Sequence, residues 1–340
     1  MQGIFLETEG FHSLGGWLIE QQSTLQMGSP YLLAHGLGVP VEDATTQFIC
    51  PESGEYTVWA RTRDWTAPWS AEQAGKFSIY IDGKPLPQTL GTNGKEWTWQ
   101  KAGIILLDKG EHALALHDLT GFDGRCDAVY LTVGTDVPPD SGKELESFRL
   151  AYVSPQKERV ETEYDLIVVG GGIAGICTAL AASRSGGNVL LIHDRTVLGG
   201  CNSSEVRVCL GGRIHMPPYE RLGDIVKEIQ PIMGDPNLFA KEFYEDDRKR
   251  FAFMPYESKG KCTLALGEQV IAATTEAGVI QSVEALHIRS GARKYIKASC
   301  LPTARATLFL PALRAHRSCT AGKPRQRLAK VWVRKRKKIS

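Results

Sequence analysis

The sequence predicts a multidomain chain: an antiparallel β-sandwich over residues 1–134, a connecting segment at 135–163, and an incomplete α/β domain of Rossmann type over 164–298. Three observations predict it. At 340 residues the chain is longer than one ordinary domain. Six of its seven Trp lie in the first 99 residues, so the two halves differ in composition. From Tyr164 the pattern changes from short alternating runs to strand, glycine turn, helix, strand.

The elements follow in order. Glu55–Arg61 alternates polar and apolar residues, as does Phe77–Ile81, which meets the turn signal Asp82-Gly83. Gly103–Leu107, a turn at Asp108–Gly110 and a further alternating run at His112–His117 come next, and Ala128–Val133 closes the set. Many short strands at near-regular spacing point to a sandwich. Thr135–Lys143 is a linker by composition, and the twenty residues after it carry no clear period. Leu166–Val169 is a buried strand, Ile173–Ser185 a helix rich in Ala and Leu, and Asn188–His193 a second strand, together one βαβ unit. Residues 219–250 read as mostly helical with a break near Gly234-Asp235-Pro236, and 262–298 as a small antiparallel meander.

The net charge of +2 hides an asymmetry. Residues 299–340 hold 12 Lys and Arg and no acid, leaving 28 basic against 38 acidic residues in 1–298. A basic tail can bind nucleic acid, but this one has a single aromatic, Trp332, in its last thirty residues and no nucleic-acid fold, so nucleic acid is not an expected partner. No run of 18 apolar residues exists, so no membrane span is expected. The start, Met1–Glu7, lacks the basic and apolar regions of a signal peptide, and export would need a start codon upstream. The eight Cys fall in no C-x-x-C or ferredoxin-type run, so their spacing argues for neither zinc nor an iron–sulfur cluster.

Gly170-Gly171-Gly172-Ile173-Ala174-Gly175 fits G-x-G-x-x-G between a strand and a helix, the context that dinucleotide binding requires. Gly170 permits the tight turn, Gly172 lets a pyrophosphate approach the backbone, and Gly175 lets helix and strand pack closely. The phosphates would meet free N–H groups at the helix N-terminus. An acid for the ribose hydroxyls is expected at the end of the second strand, where His193 and Asp194 stand. Asp194 is preferred because a carboxylate can accept from both hydroxyls; His193 donating instead is the alternative.

Leu198-Gly199-Gly200-Cys201-Asn202-Ser203-Ser204-Glu205-Val206-Arg207 follows the second strand. This run, with the glycine fingerprint before it, resembles FAD-dependent oxidoreductases related to the flavin-binding subunit of heterodisulfide reductase. The resemblance covers about 164–298 and implies FAD rather than NAD. It also implies that Gly170, Gly172, Ile173, Ala174, Gly175, Asp194, Arg195, Gly199, Gly200 and Ser203 lie along the cofactor. Cys201 stands where relatives often have Asn; it reads as a small residue or as a redox thiol.

Phe5-Leu6-Glu7-Thr8-Glu9-Gly10-Phe11 resembles the first strand of carbohydrate-binding modules with the galactose-binding-like sandwich. That resemblance implies a structural Ca2+ on Glu7, Glu9 and Asp127, whose carboxylate oxygens suit a hard cation; three solvated acids are the other reading. Asp64-Trp65-Thr66-Ala67-Pro68-Trp69 is an aromatic loop. Trp65 and Trp69 can offer flat faces to a sugar or pack within the protein.

The resemblance to FAD-dependent oxidoreductases also bears on the tail. Read one nucleotide earlier, the codons of Cys300–Thr307 permit Leu-Phe-Ala-Asp-Cys-Thr-Gly-Asp. This is similar to the family's second FAD-contacting segment, whose Asp binds the ribityl region. Those of Leu328–Lys335 permit Gly-Glu-Ser-Leu-Gly-Pro-Glu-Lys. The chain is therefore expected to leave frame near Ser299, to end in an unpacked tail, and to be an inactive fragment of an enzyme family.

Two function classes follow. In one, the chain is an FAD-dependent oxidoreductase acting on a small-molecule or glycan substrate. In the other, it is a glycan-binding protein with a remnant flavin domain. No spacing singles out a catalytic base, although His215 and Tyr219 lie in a candidate loop.

Overall fold

The computed structural model describes residues 3–153, 155–208, 210, 215–230, 242–276 and 279–298. The basic tail, with both shifted-frame segments, and the break expected at Gly234-Asp235-Pro236 lie outside the described residues.

The amino-terminal region runs through β1 (Gly3–Glu7), a 3-10 turn (Thr8–Gly10), β2 (Leu18–Glu20), the single-turn α1 (Thr24–Met27), β3 (Tyr31–His35), β4 (Ala44–Cys50) and β5 (Gly54–Thr62). It continues through β6 (Phe77–Ile81), β7 (Lys84–Pro85), β8 (Thr98–Leu107), β9 (Gly110–Asp118), β10 (Phe122–Cys126) and β11 (Ala128–Val133). Two antiparallel sheets, in orders β1-β11-β5-β8 and β4-β9-β6-β7, form the sandwich, with a smaller sheet β10-β3-β2 beside them. The alternation read at Phe77–Ile81 is an alternation of burial, with Phe77, Ile79 and Ile81 buried, and β4, not singled out in the sequence, repeats it from Ala44 to Cys50. Phe77, Ile79 and Ile81 pack with Ala44, Phe48, Phe11, Trp17, Tyr56 and Leu116 in one core. Each fully buried large apolar side chain contributes about 1.5–3 kcal/mol.

β5 departs from alternation and is buried on both faces. The reason is α2 (Gly142–Tyr152), in the stretch that showed no sequence period. Leu145, Phe148, Arg149 and Tyr152, at helical spacing, share one face. Phe148 and Tyr152 join Phe5, Trp59, Trp99 and Tyr130 in an aromatic cluster on the outer side of the sandwich. The composition-based linker is likewise pinned: Trp99 donates from its backbone N to Asp140 Oδ1 at 2.9 Å and from Nε1 to the Pro139 carbonyl at 3.1 Å.

The second region has β12 (Lys157–Tyr164), β13 (Leu166–Val169), α3 (Ile173–Arg184), β14 (Val189–His193), α4 (Asp224–Ile229), α5 (Glu242–Phe251) and α6 (Met254–Glu257). It ends with β15 (Cys262–Leu266), β16 (Glu268–Glu276), β17 (Val279–His287) and β18 (Arg293–Ala298). β13-β14-β15 is a parallel sheet, and β12-β18-β17-β16 is a second sheet in which β12 and β18 run parallel. The expected meander at 262–298 is corrected here: β15 pairs with β14, and only β16–β18 meander. Side-chain alternation splits the parallel strands between two cores. Val168, Val189 and Leu191 face Ile176, Ala179 and Leu180 of α3, while Ile167, Val169, Leu190 and Ile192 face Val270, Val283 and Ile296 of the second sheet. Burial on both sides explains why these strands read as continuous apolar runs.

Candidate functional site

Two glycine turns meet at the carboxyl ends of the parallel strands. Gly170 adopts φ +103°, a conformation an L side chain rarely takes, and its N–H donates to the Ile192 carbonyl at 2.8 Å. Gly172 caps α3, and Gly175 is buried on the helix as it passes the sheet. The helix geometry leaves the N–H groups of Ile173, Ala174 and Gly175 without intrahelical acceptors. Gly199 N donates to Gly171 O at 2.8 Å, and Gly172 and Gly199 form a parallel bridge, so the second turn lies against the first. Gly199 and Gly200 both have positive φ.

The three crowded positions of this cradle differ from the open one. A Cβ on Gly171 would stand 2.7 Å from His193 and Leu198, one on Gly199 2.2 Å from the Asn202 carbonyl, and one on Gly200 3.3 Å from Gly172 Cα. A Cβ on Gly172 would meet no described atom within 4 Å. Backbone donors at a helix N-terminus around an open space are the arrangement that takes a pyrophosphate, so the chain fits the dinucleotide implied by its sequence.

Asp194 and His193 are both buried. His193 Nδ1 lies 3.2 Å from Asp194 Oδ1, yet neither ring nitrogen has a hydrogen-bond partner among the described residues. Arg195 is held by the sandwich: its Nη2 reaches Glu20 Oε2 at 3.1 Å, and Glu205 lies 3.9 Å from its Nε. Burial alone would lower the Arg195 pKa, but Glu20 and Glu205 raise it above the usual value. Gln21 Nε2 donates to the Asp194 carbonyl at 3.0 Å. Glu20 and Gln21 thus stand beside the expected ribose site; no local motif marks them, because they come from β2 and the residue after it. Ser203 donates to the Gly200 carbonyl at 2.7 Å, bracing the second turn. Lys249, fully buried on α5, has its Cε 3.0 Å from where a Gly199 Cβ would stand. Cys201 is exposed. Tyr219 is exposed, and His215 Nδ1 is engaged by the Glu220 carbonyl.

The amino-terminal acids are gathered as expected, but the cation among them is a side chain. Arg149 of α2 bonds Glu7 and Ser29 through Nη2 and Asp127 Oδ2 through Nη1 at 2.7 Å. Arg61 Nη1 adds a contact of 3.2 Å to the same Asp127 oxygen, and Ser29 Oγ donates to Asp127 Oδ1 at 3.1 Å. Burial pushes the Glu7 carboxyl up to about 7 against the pull of Arg149, and burial with the neighbouring Glu7 raises Glu9 well above its ordinary value. Nor are these acids solvated: Glu9 is 2% exposed, and its Oε2 has no hydrogen-bond partner among the described residues. Among those residues no group of His, Cys, Asp or Glu is arranged to hold a metal. Guanidinium donors engage oxygens of Glu7 and Asp127, two of the three acids on which Ca2+ is expected.

Trp65 and Trp69 stand together, ring centroids 5.6 Å apart and edge to face. Trp65 is fixed by Nε1 donating to the Phe122 carbonyl at 2.9 Å and by Arg125 over its ring at 5.0 Å. Trp69 is 68% exposed, and Phe122, Leu37 and Val39 are exposed too. Among the described residues no helix is long and apolar enough to cross a membrane.

Residues 165–301 match the model of the FAD dependent oxidoreductase family. A pseudooxynicotine dehydrogenase from a Pseudomonas species is 34% identical over 73 residues, 20% of this chain and 15% of that relative's length. Among solved structures, a family 35 carbohydrate binding module from Clostridium thermocellum aligns over 39% of this chain and 100% of its own, at 17% identity and TM-score 0.32. The Podospora anserina GH26-CBM35 β-(1,4)-mannanase aligns over 77% of this chain and 65% of its own, at 13% identity and TM-score 0.32.

Proposed function

We propose that this chain is an FAD-dependent oxidoreductase whose sandwich brings a carbohydrate-related substrate to the flavin domain. The observation that carries the flavin part is the open space at Gly172, enclosed by the two glycine turns and facing the N-terminus of α3. In this reading Gly170, Gly172, Gly199 and Gly200 let the backbone approach the pyrophosphate, and the N–H groups of Ile173, Ala174 and Gly175 donate to it. Asp194 accepts from the ribose hydroxyls, and His193 beside it supplies a donor to the same edge. Arg195, steadied by Glu20, sets positive charge near the phosphates, and Ser203 holds the Gly200 turn in shape. When bound, FAD supplies hydride acceptance and transfer of the electrons to an acceptor. The test is the flavin absorbance of the purified chain after gel filtration and after loading with FAD.

A second reading, a glycan-binding protein with a remnant flavin domain, is favoured by the Trp65–Trp69 pair. Trp69, exposed on a braced partner, offers an apolar face to a sugar ring. A colourless chain that cannot be loaded with FAD but binds glycans would favour it. In either reading a Trp65→Ala, Trp69→Ala double variant loses glycan-array signal; unchanged signal would remove sugar contact from these residues.

A further inference from the structure

We propose that the Arg149 guanidinium is the resident cation of the Glu7–Glu9–Asp127 pocket, making the sandwich independent of divalent metal and latching α2 to it.

Ca2+ takes six to eight oxygen ligands in a flexible shell. Here three of the carboxylate oxygens that would form the shell already have partners. Both Asp127 carboxylate oxygens are engaged, one by Arg149 and Arg61 and the other by Ser29. Glu7 Oε2 is bonded to Arg149. Thr8 Oγ1, a further candidate ligand, donates to the Cys126 carbonyl at 2.6 Å and lies 3.0 Å from the Asp127 carbonyl, so those carbonyls are engaged as well. A planar fork of donors suits this set better than a lysine ammonium would, because it reaches two carboxylates and a hydroxyl at once.

The surroundings hold the guanidinium in place. Arg149 is 6% exposed, and its Cζ lies 5.6 Å from the Phe5 ring centroid. Phe148 and Tyr152 on the same helix pack into the aromatic cluster, Phe148 5.1 Å from Tyr130 and Tyr152 bonded to the Tyr130 hydroxyl at 2.8 Å. The α2 backbone is therefore fixed independently of the ion pair and presents Arg149 to the acids. Glu9 Oε2 is buried in the pocket without a hydrogen-bond partner among the described residues. Removing Arg149 would leave three facing carboxylates with Arg61 beside Asp127, a donor set that a divalent cation could then complete.

The experiment compares thermal unfolding of the full chain in excess chelator and in millimolar CaCl2, together with calcium titration by calorimetry. The wild type is expected to give one Tm in both and no binding heat. Arg149→Ala is expected to lose about 10 °C in chelator, because breaking a buried pair leaves uncompensated charge, and to recover part of it with Ca2+. Arg149→Lys, which keeps the charge and loses the fork, is expected to fall between them and to stay insensitive to Ca2+. A wild-type chain that binds Ca2+ stoichiometrically, or whose Tm falls in chelator, overturns the proposal, and this arm stands even if Arg149→Ala does not fold. An Arg149→Ala chain that folds with unchanged Tm in chelator also overturns it.

Discussion

Replacing Gly172 with Val should separate flavin binding from folding. Gly172 has φ −70°, which any residue can adopt, and an added Cβ meets no described atom within 4 Å. The cost to the protein is that of a poor helix cap, about 1 kcal/mol, because glycine is far better tolerated than valine at that position. For a unit of this size that is a Tm change of about 2–4 °C. The cost to the cofactor is larger. If the side chain displaces the pyrophosphate from two backbone donors, at about 1.5–3 kcal/mol each for a charged acceptor, binding weakens by roughly 3–6 kcal/mol, or a hundred-fold to ten-thousand-fold. Quenching of flavin fluorescence on titration gives the affinity, and calorimetry gives the stability. Gly172→Ala is the smaller control and should lose less affinity at a similar Tm. An unchanged FAD affinity in Gly172→Val would refute the placement of the phosphates.

Gly171→Ala should do the reverse: its Cβ would press on His193 and Leu198 at 2.7 Å, an overpacking cost of about 1–3 kcal/mol to be read as a lowered Tm of the flavin-domain transition, and an unchanged Tm would mean the loop moves aside freely. Glu20→Ala removes the partner of a one-third-exposed Arg195; the pair is worth up to about 1 kcal/mol, so FAD affinity should fall no more than about five-fold, and a hundred-fold loss would mean that Glu20 does more than steady Arg195. Bonds to Asp82 and the Asp108 carbonyl raise the His112 pKa above 6.5. That contribution is full below pH 6.5 and fades as pH rises through the raised folded value. Sandwich Tm should accordingly decline over that window in the wild type and not in His112→Gln; parallel curves for the two proteins would rule the linkage out.

Local signals were sufficient where a segment's neighbours are its own sequence neighbours. Leu166–Val169, the fingerprint glycines and Ile173–Arg184 were legible because strand, turn and helix follow one another, and each glycine answers to backbone geometry within that unit. The alternation of β6 and β9 is legible for the same reason: one face is buried whatever the partner strand is. Tertiary structure decided whatever depends on distant partners. The apolar face of α2, with Arg149 interrupting Phe148 and Tyr152, has meaning only against β1 and β11. Cys262–Leu266 looks like any short strand until β14 takes it as a parallel neighbour. Glu20 reaches Arg195 across 175 positions, and Arg149 reaches Glu7 across 142. The acids of the pocket could be read from the sequence because carboxylates suit a cation. That a guanidinium lies among them could not, because Arg149 arrives on a helix from the connecting segment.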